Sequence, residues 1–189
     1  MNRYLACALA PLVILTSGCI SLSQRVEEAV APQPANPIDT SRFYSGRWYE
    51  IARTPTRTTL GCVAGTTDFY KGADGQMVDK NACREGSPSG KEKSLEGPIT
   101  LLNSENTKMR VDYKALGVFD SPRTLWILDH DETYGWFIVS DPDFKTVSLF
   151  SRNARPSPSE VAMLNGKAKA LGYDIAKLEY PAQFPVGQP

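Results

Sequence analysis

From Gly46 onward the chain alternates short apolar runs with turn residues, a pattern that predicts strands rather than long helices. Eight segments read as strands, over about Trp48–Thr54, Ala64–Tyr70, Gln76–Cys83, Lys91–Gly97, Lys108–Ala115, Thr124–Asp129, Tyr134–Ser140 and Thr146–Ser151. The connections are short and rich in Gly, Asp and Pro, so successive strands should pair as hairpins. Closing such an up-and-down sheet removes the exposed edges that would template aggregation. The predicted fold class is therefore all-β, an eight-stranded antiparallel barrel. A barrel of this strand number has room for packed side chains or one small ligand.

The clearest alternation is Lys108-Met109-Arg110-Val111-Asp112-Tyr113-Lys114. Met109, Val111 and Tyr113 share one face and the charged residues the other. That inward set is apolar with one hydroxyl, which suits an aliphatic ligand needing one polar contact. The two strands at Thr124–Asp129 and Tyr134–Ser140 are apolar on both faces, so something must cover their outer side. Trp126 and Trp136 lie on these strands and are further candidates to line the bore, although sequence does not assign their faces. The cover is an amphipathic helix near 158–171. Ser157-Pro158-Ser159-Glu160 reads as an N-cap, a first-position proline and a capping-box glutamate, and Val161, Leu164, Ala168 and Leu171 recur on one face before Gly172.

The first residues bear on location. Met1-Asn2-Arg3 is a short basic region, Tyr4 to Leu15 is apolar but too short to span a bilayer, and Thr16-Ser17-Gly18 precedes Cys19. Residues 1–18 read as a signal peptide. The segment resembles a bacterial lipobox, with Thr16 where leucine is usual, and the resemblance implies that Cys19 is lipidated and becomes the first mature residue. The alternative is a plain signal peptide with Cys19 a free thiol. Ile20 rather than aspartate after the cysteine implies, by the same resemblance, the outer membrane, facing the periplasm. Several acyl chains on one residue hold a protein at a membrane stably. Residues 19–37, with Pro32, Pro34 and Pro37, read as a flexible tether reaching about 25 Å or more. The folded body is expected to span 38–180, followed by a loose tail over 181–189.

About 150 residues remain after the leader and tether, enough for one domain. The 21 basic and 21 acidic residues form no cluster or stripe, so no nucleic-acid partner is expected. With Cys7 in the leader and Cys19 lipidated, Cys62 and Cys83 remain as a pair in an oxidising compartment. The midpoint between them falls inside the turn Lys71-Gly72-Ala73-Asp74-Gly75-Gln76, which places them nearly opposite on adjacent strands, as a disulfide requires. A metal site is the rival, but zinc needs companion ligands that these two cysteines lack. No metal and no cofactor are expected.

Three motifs carry a resemblance to the lipocalins over about Asp39 to Tyr180. The first is Gly46-Arg47-Trp48-Tyr49-Glu50-Ile51-Ala52-Arg53. The second is the acidic turn Leu128-Asp129-His130-Asp131-Glu132-Thr133-Tyr134, and the third is Ser148-Leu149-Phe150-Ser151-Arg152. Within the family these motifs, with the Ser140-Asp141-Pro142-Asp143 turn, look most like bacterial outer-membrane lipocalins and their apolipoprotein D-like relatives. The resemblance implies that Trp48 plugs the closed end of the barrel and that Arg152 stacks across its face. It also implies that the bore takes a fatty acid or a lysophospholipid. The Cys62–Cys83 pair departs from the bacterial branch, and with alternate hairpin ends defining the two rims it is expected at the open mouth, opposite Trp48.

No catalytic constellation emerges. His130 is the one histidine and reads as a surface-turn residue, Asp141 and Asp143 read as turn chemistry, and no serine has a nucleophile-elbow context. Glu50, if it points inward, keeps open an enzyme acting on a lipid-like substrate. A third class is an envelope interaction module whose barrel is filled by side chains. The reading adopted is a non-enzymatic carrier or store for an amphiphilic lipid, a monomer or weak homodimer, attached to the membrane through Cys19.

Overall fold

A computed structural model describes residues 30–115 and 119–185. Eight strands form one closed barrel in sequence order, each antiparallel to the next and the last paired with the first. They are β1 (Gly46–Arg53), β2 (Cys62–Lys71), β3 (Met77–Glu85), β4 (Glu92–Leu101), β5 (Lys108–Ala115), β6 (Phe119–His130), β7 (Trp136–Ser140) and β8 (Val147–Ser151). The β2–β3 hairpin closes as its glycines predict. The Gly72 amide donates to the Gln76 carbonyl at 2.7 Å, and Gly75 adopts a φ of +80° that an L side chain resists.

Three bulges break the alternation, between Glu50 and Ala52, between Val63 and Thr66, and between Ile127 and Asp129. The first has a direct consequence. Glu50 pairs across from Phe150 and Arg53 across from Ser148, so both point into the bore although they stand an odd three positions apart.

The closed end is built from aromatic rings. Asp39 caps a four-residue helix, α1 (Thr40–Phe43), by accepting from the Ser41 amide at 2.9 Å. That turn sets Phe43 beneath the barrel, 5.3 Å from Trp48 and 5.1 Å from Phe137, ring centre to ring centre. The outer cover is α2 (Pro158–Ala170), with the expected capping box from Ser157 and Glu160. Leu164 and Ala168 are buried against Ile51, Ala52, Ile138, Val147 and Leu149 on the outer faces of β1, β7 and β8.

Both ends of the body are longer than expected. The stretch read as tether includes Ala31, which is 2% exposed and donates to the Pro142 carbonyl at 2.9 Å. Ile38 then bonds Glu105 at the opposite end, so residues 31–38 lie along the barrel. The tail read as loose is docked as far as Phe184. A short 3-10 turn (Ile175–Lys177) leads to Glu179, which bridges to Arg53, and the Ala64 amide donates to the Ala182 carbonyl at 2.7 Å. The leader, Cys19 and residues 186–189 lie outside the described residues. Among the described residues no helix is long and apolar enough to cross a membrane.

Candidate functional site

The interior divides by depth. At the closed end Trp48 is fully buried, and the Arg152 guanidinium lies 3.6 Å above its ring. Arg152 also donates to the Arg47 and Phe43 carbonyls at 2.8 and 3.3 Å. Gly46 has a φ of +62°, and a β-carbon there would sit 3.6 Å from the arginine. The glycine therefore serves the turn that lets the arginine close over the tryptophan. Phe69, Phe137, Phe150 and Ile127 fill the rest of this end.

Above them the wall is apolar with one polar seam. Met109, Val111 and Tyr113 on β5 all face inward and are buried, in one cluster with Val139 and, partly exposed, Ile99 and Leu125. The Tyr113 hydroxyl donates to Asp79 Oδ2 at 2.6 Å and accepts from Asn81 Nδ2 at 2.6 Å. Thr67 Oγ1 donates to Asp79 Oδ1 at 2.7 Å, and Asn81 Nδ2 also reaches Asp79 Oδ2 at 3.1 Å. Asp79 is 1% exposed, and among the described residues no cationic side chain pairs with it. Burial pushes its carboxyl up to about 6, although the bonds from Tyr113, Thr67 and Asn81 pull the other way. Burial and the adjacent carboxylate in turn hold the Tyr113 hydroxyl well above its ordinary range.

A second polar group is carried by β1, against β2 and β8. Arg53 Nη1 donates to Glu50 Oε2 at 2.6 Å, its Nε to Glu179 at 2.8 Å and its Nη2 to the Cys62 carbonyl at 2.7 Å. Ser148 donates to the other Glu50 oxygen at 3.0 Å. Burial raises the Glu50 carboxyl against the lowering pull of Arg53. Gly65 leaves the room for this pair, since a β-carbon there would meet Glu50 Oε2 at 2.6 Å. Glu50 thus points inward but is committed to an ion pair. At the open rim Cys62 and Cys83 form a disulfide with their α-carbons 5.5 Å apart.

Three expectations are corrected. Trp126 and Trp136 face outward: Trp126 lies under Lys108 Nζ, 3.9 Å from its ring centre, and Trp136 packs in the cluster beneath α2. Hydrogen-bonded register decides this, because inward Val139 and Phe137 alternate with Trp136 on β7, and Trp126 sits directly opposite outward Lys108. His130 is not a surface-turn residue. It is 8% exposed among Phe43 and Tyr134, with Nδ1 3.0 Å from the Asp131 carbonyl. Among the described residues no group of three or more His, Cys, Asp or Glu is placed to hold a metal.

Asp79, Asn81 and Thr67 were not singled out by sequence. β3 reads Val78-Asp79-Lys80-Asn81, polar on both faces, so no alternation marks the inward pair. A usable signal was the adjacency of β3 to the inward threonine on β2, but only register supplies it.

The family model for the lipocalin-like domain matches residues 38–183. Temperature-induced lipocalin-1 of Arabidopsis thaliana is 28% identical over 74% of this chain and 77% of its own. The outer membrane lipoprotein Blc of Vibrio cholerae is 24% identical over 90% of this chain and 94% of its own. Among solved structures, insecticyanin from the tobacco hornworm Manduca sexta superposes with a TM-score of 0.61 at 18% identity, covering 82% of this chain and 86% of that one.

Proposed function

The chain belongs to the lipocalin-like family, and on that premise we propose that it binds, stores or transports an amphiphilic lipid, a fatty acid or lysophospholipid, at the outer membrane. Lipocalins bind small hydrophobic ligands. The observation that carries the finer reading is the interior wall itself: apolar at Met109, Val111, Ile99, Leu125 and Val139, with a polar seam at Tyr113 and the Glu50–Arg53 pair beside it. Such a wall draws an acyl chain out of water at about 25 cal/mol per Å² of apolar surface, and the seam orients a head. Lipidation of Cys19 would provide the anchor, with the body facing the periplasm as a monomer or weak homodimer. Two things support that location: the lipobox-like leader, and a relative that is itself named an outer membrane lipoprotein. The described chain meets the barrel at Ala31, beside Pro142 in the β7–β8 loop, so a tether would leave from the open rim.

A protein-interaction module is the second reading, favoured by a groove of about 850 Å³ on the outer face of β2–β4 lined by Tyr70, Val78, Glu96 and Pro98 among others. One experiment separates the two. The full chain is titrated with lysophospholipids and long-chain fatty acids by calorimetry, and stoichiometry is read by native mass spectrometry. Tryptophan fluorescence is a poor reporter because Trp126 and Trp136 lie outside the bore. Saturable one-to-one binding at micromolar affinity or tighter is expected. A folded, delipidated protein that binds neither class would overturn the carrier reading and favour the module.

A further inference from the structure

Resting on the carrier reading, we propose that Asp79, Asn81 and Tyr113 form the head-group subsite of the bore and that it takes an ammonium head in preference to a free carboxylate.

The argument is an account of hydrogens. Thr67 and Tyr113 each bring one polar hydrogen and Asn81 brings two. Thr67 donates to Asp79 Oδ1, its nearer acceptor at 2.7 Å rather than Asn81 Oδ1 at 3.0 Å. Tyr113 donates to Asp79 Oδ2, and Asn81 donates to Asp79 Oδ2 and to the Tyr113 oxygen. The orientation of Asn81 is fixed by this pattern, because turning its amide over would set a carbonyl against the carboxylate. Asn81 Nδ2, Tyr113 Oη and Asp79 Oδ2 lie 2.6, 2.6 and 3.1 Å from one another, so one amide hydrogen serves both acceptors and the second is the one donor the cluster leaves over. Against that one hydrogen stand more acceptors than the cluster fills: the Asn81 carbonyl oxygen, the second lone pair of Tyr113 and the remaining lone pairs of Asp79. An incoming carboxylate would find at most the one spare Asn81 hydrogen and would face a buried negative charge with no cation paired to it. An incoming ammonium brings both the hydrogens and the missing positive charge.

The placement suits a head group. β3 runs from the closed end toward the rim, so Asn81 stands one step nearer the mouth than Asp79 and is only half-buried, while Asp79 is 1% exposed. The cations nearby do not replace the ligand. Arg53 is held by Glu50, Glu179 and the Cys62 carbonyl. Arg123, on β6 opposite inward Val111, lies on the same face and acts on Tyr113, but it is exposed, where water screens its charge.

Three twelve-carbon probes test this with the full chain at pH 7.5, below their micelle-forming concentrations: dodecylammonium, monododecyl glycerol and dodecanoate. The neutral probe reads the carrier function alone. Dodecylammonium is expected to bind about tenfold or more tighter than dodecanoate, the scale of one charge-assisted hydrogen bond. Asp79→Asn should shrink that ratio to within about twofold, with far-UV circular dichroism confirming the fold. The wild-type ratio stands as a test even if the variant does not fold. Equal affinity for the two charged probes, a preference for dodecanoate through Arg123, or a preference that survives Asp79→Asn would each overturn the proposal while the neutral probe still binds. Failure of all three probes would remove the carrier reading and this subsite with it.

Discussion

Asp79 is the residue at which fold and function pull hardest against each other. Its carboxyl stands at about 6 in the fold, against an ordinary value of 3.8, because burial penalises the charge more than three hydrogen bonds favour it. The groups that face it are Tyr113 from β5, Thr67 from β2, Asn81 from its own strand and, at longer range, Tyr44 behind α1 and Asp68, which raises it further. Because the folded value is the higher one, the folded state keeps a proton that the unfolded chain has released. Stability from this residue is therefore fully present below about pH 4 and is lost as pH rises through 6. Asp79→Asn does not titrate, so its stability relative to wild type should improve by about 2–3 kcal/mol between pH 4 and pH 7.5. Urea denaturation of both proteins at the two pH values measures the change, and a gap that does not move would show that Asp79 keeps an ordinary affinity for its proton. Sequence gave no warning of this residue, since Asp79 and Lys80 are polar neighbours on opposite faces. It did identify Tyr113, because β5 alternates strictly. The tryptophans of β6 and β7 show the limit of that reasoning: strands apolar on both faces carry no mark of which face is inside.

Among the elements, the tail after α2 departs furthest from what its composition implies. β1 and β2 pair only as far as Tyr49 and Thr66, and above that point they diverge. The tail fills the gap. Glu179 bridges to Arg53, the Ala64 amide finds the Ala182 carbonyl, and Gln183 Nε2 donates to the Glu50 carbonyl at 3.0 Å. Phe184 is 6% exposed, packs edge-on to Tyr49, and its carbonyl accepts from Arg155 at 2.6 Å. Ending the chain after Tyr180 should cost about 2–4 kcal/mol, mostly the burial of Phe184 with one or two hydrogen bonds. Amide exchange locates the loss: Ala64 and its neighbours should open at lower free energy than the amides of β5, and uniform loosening would mean that the tail is no seam. Helix α2 was legible because capping chemistry is local and its period regular. The tail, Pro181-Ala182-Gln183-Phe184, has no period, and its docking depends on a gap between two strands that only their bulges create.

The whole molecule is a barrel with one end packed by aromatic rings and the other, among the described residues, tied by the Arg53 ion pairs, the docked tail and a disulfide. Trp48, Phe43 and Arg152 close the lower end through ring packing and carbonyl contacts; the first and third motifs announced Trp48 and Arg152 because each lies in a short contiguous run, whereas Phe43 precedes the motifs and is placed by the turn of α1. The mouth has no such core. There the β2–β3 edge is held by its ladder and by the Cys62–Cys83 disulfide, on strands that bulge between Val63 and Thr66. The two cysteines are 21 residues apart, and a crosslink of that span stabilises by about 3 kcal/mol in the chain-entropy account. Replacing both, Cys62→Ser with Cys83→Ser, should lower the stability by about that amount, read from urea midpoints. A second effect belongs to the bore. If the crosslink keeps the rim shut over a bound chain, a bound amphiphile should leave the double variant faster in stopped-flow displacement, with its association rate changed less. An unchanged dissociation rate beside the expected loss of stability would show that the ladder alone holds the mouth, and that the disulfide serves the fold rather than the ligand.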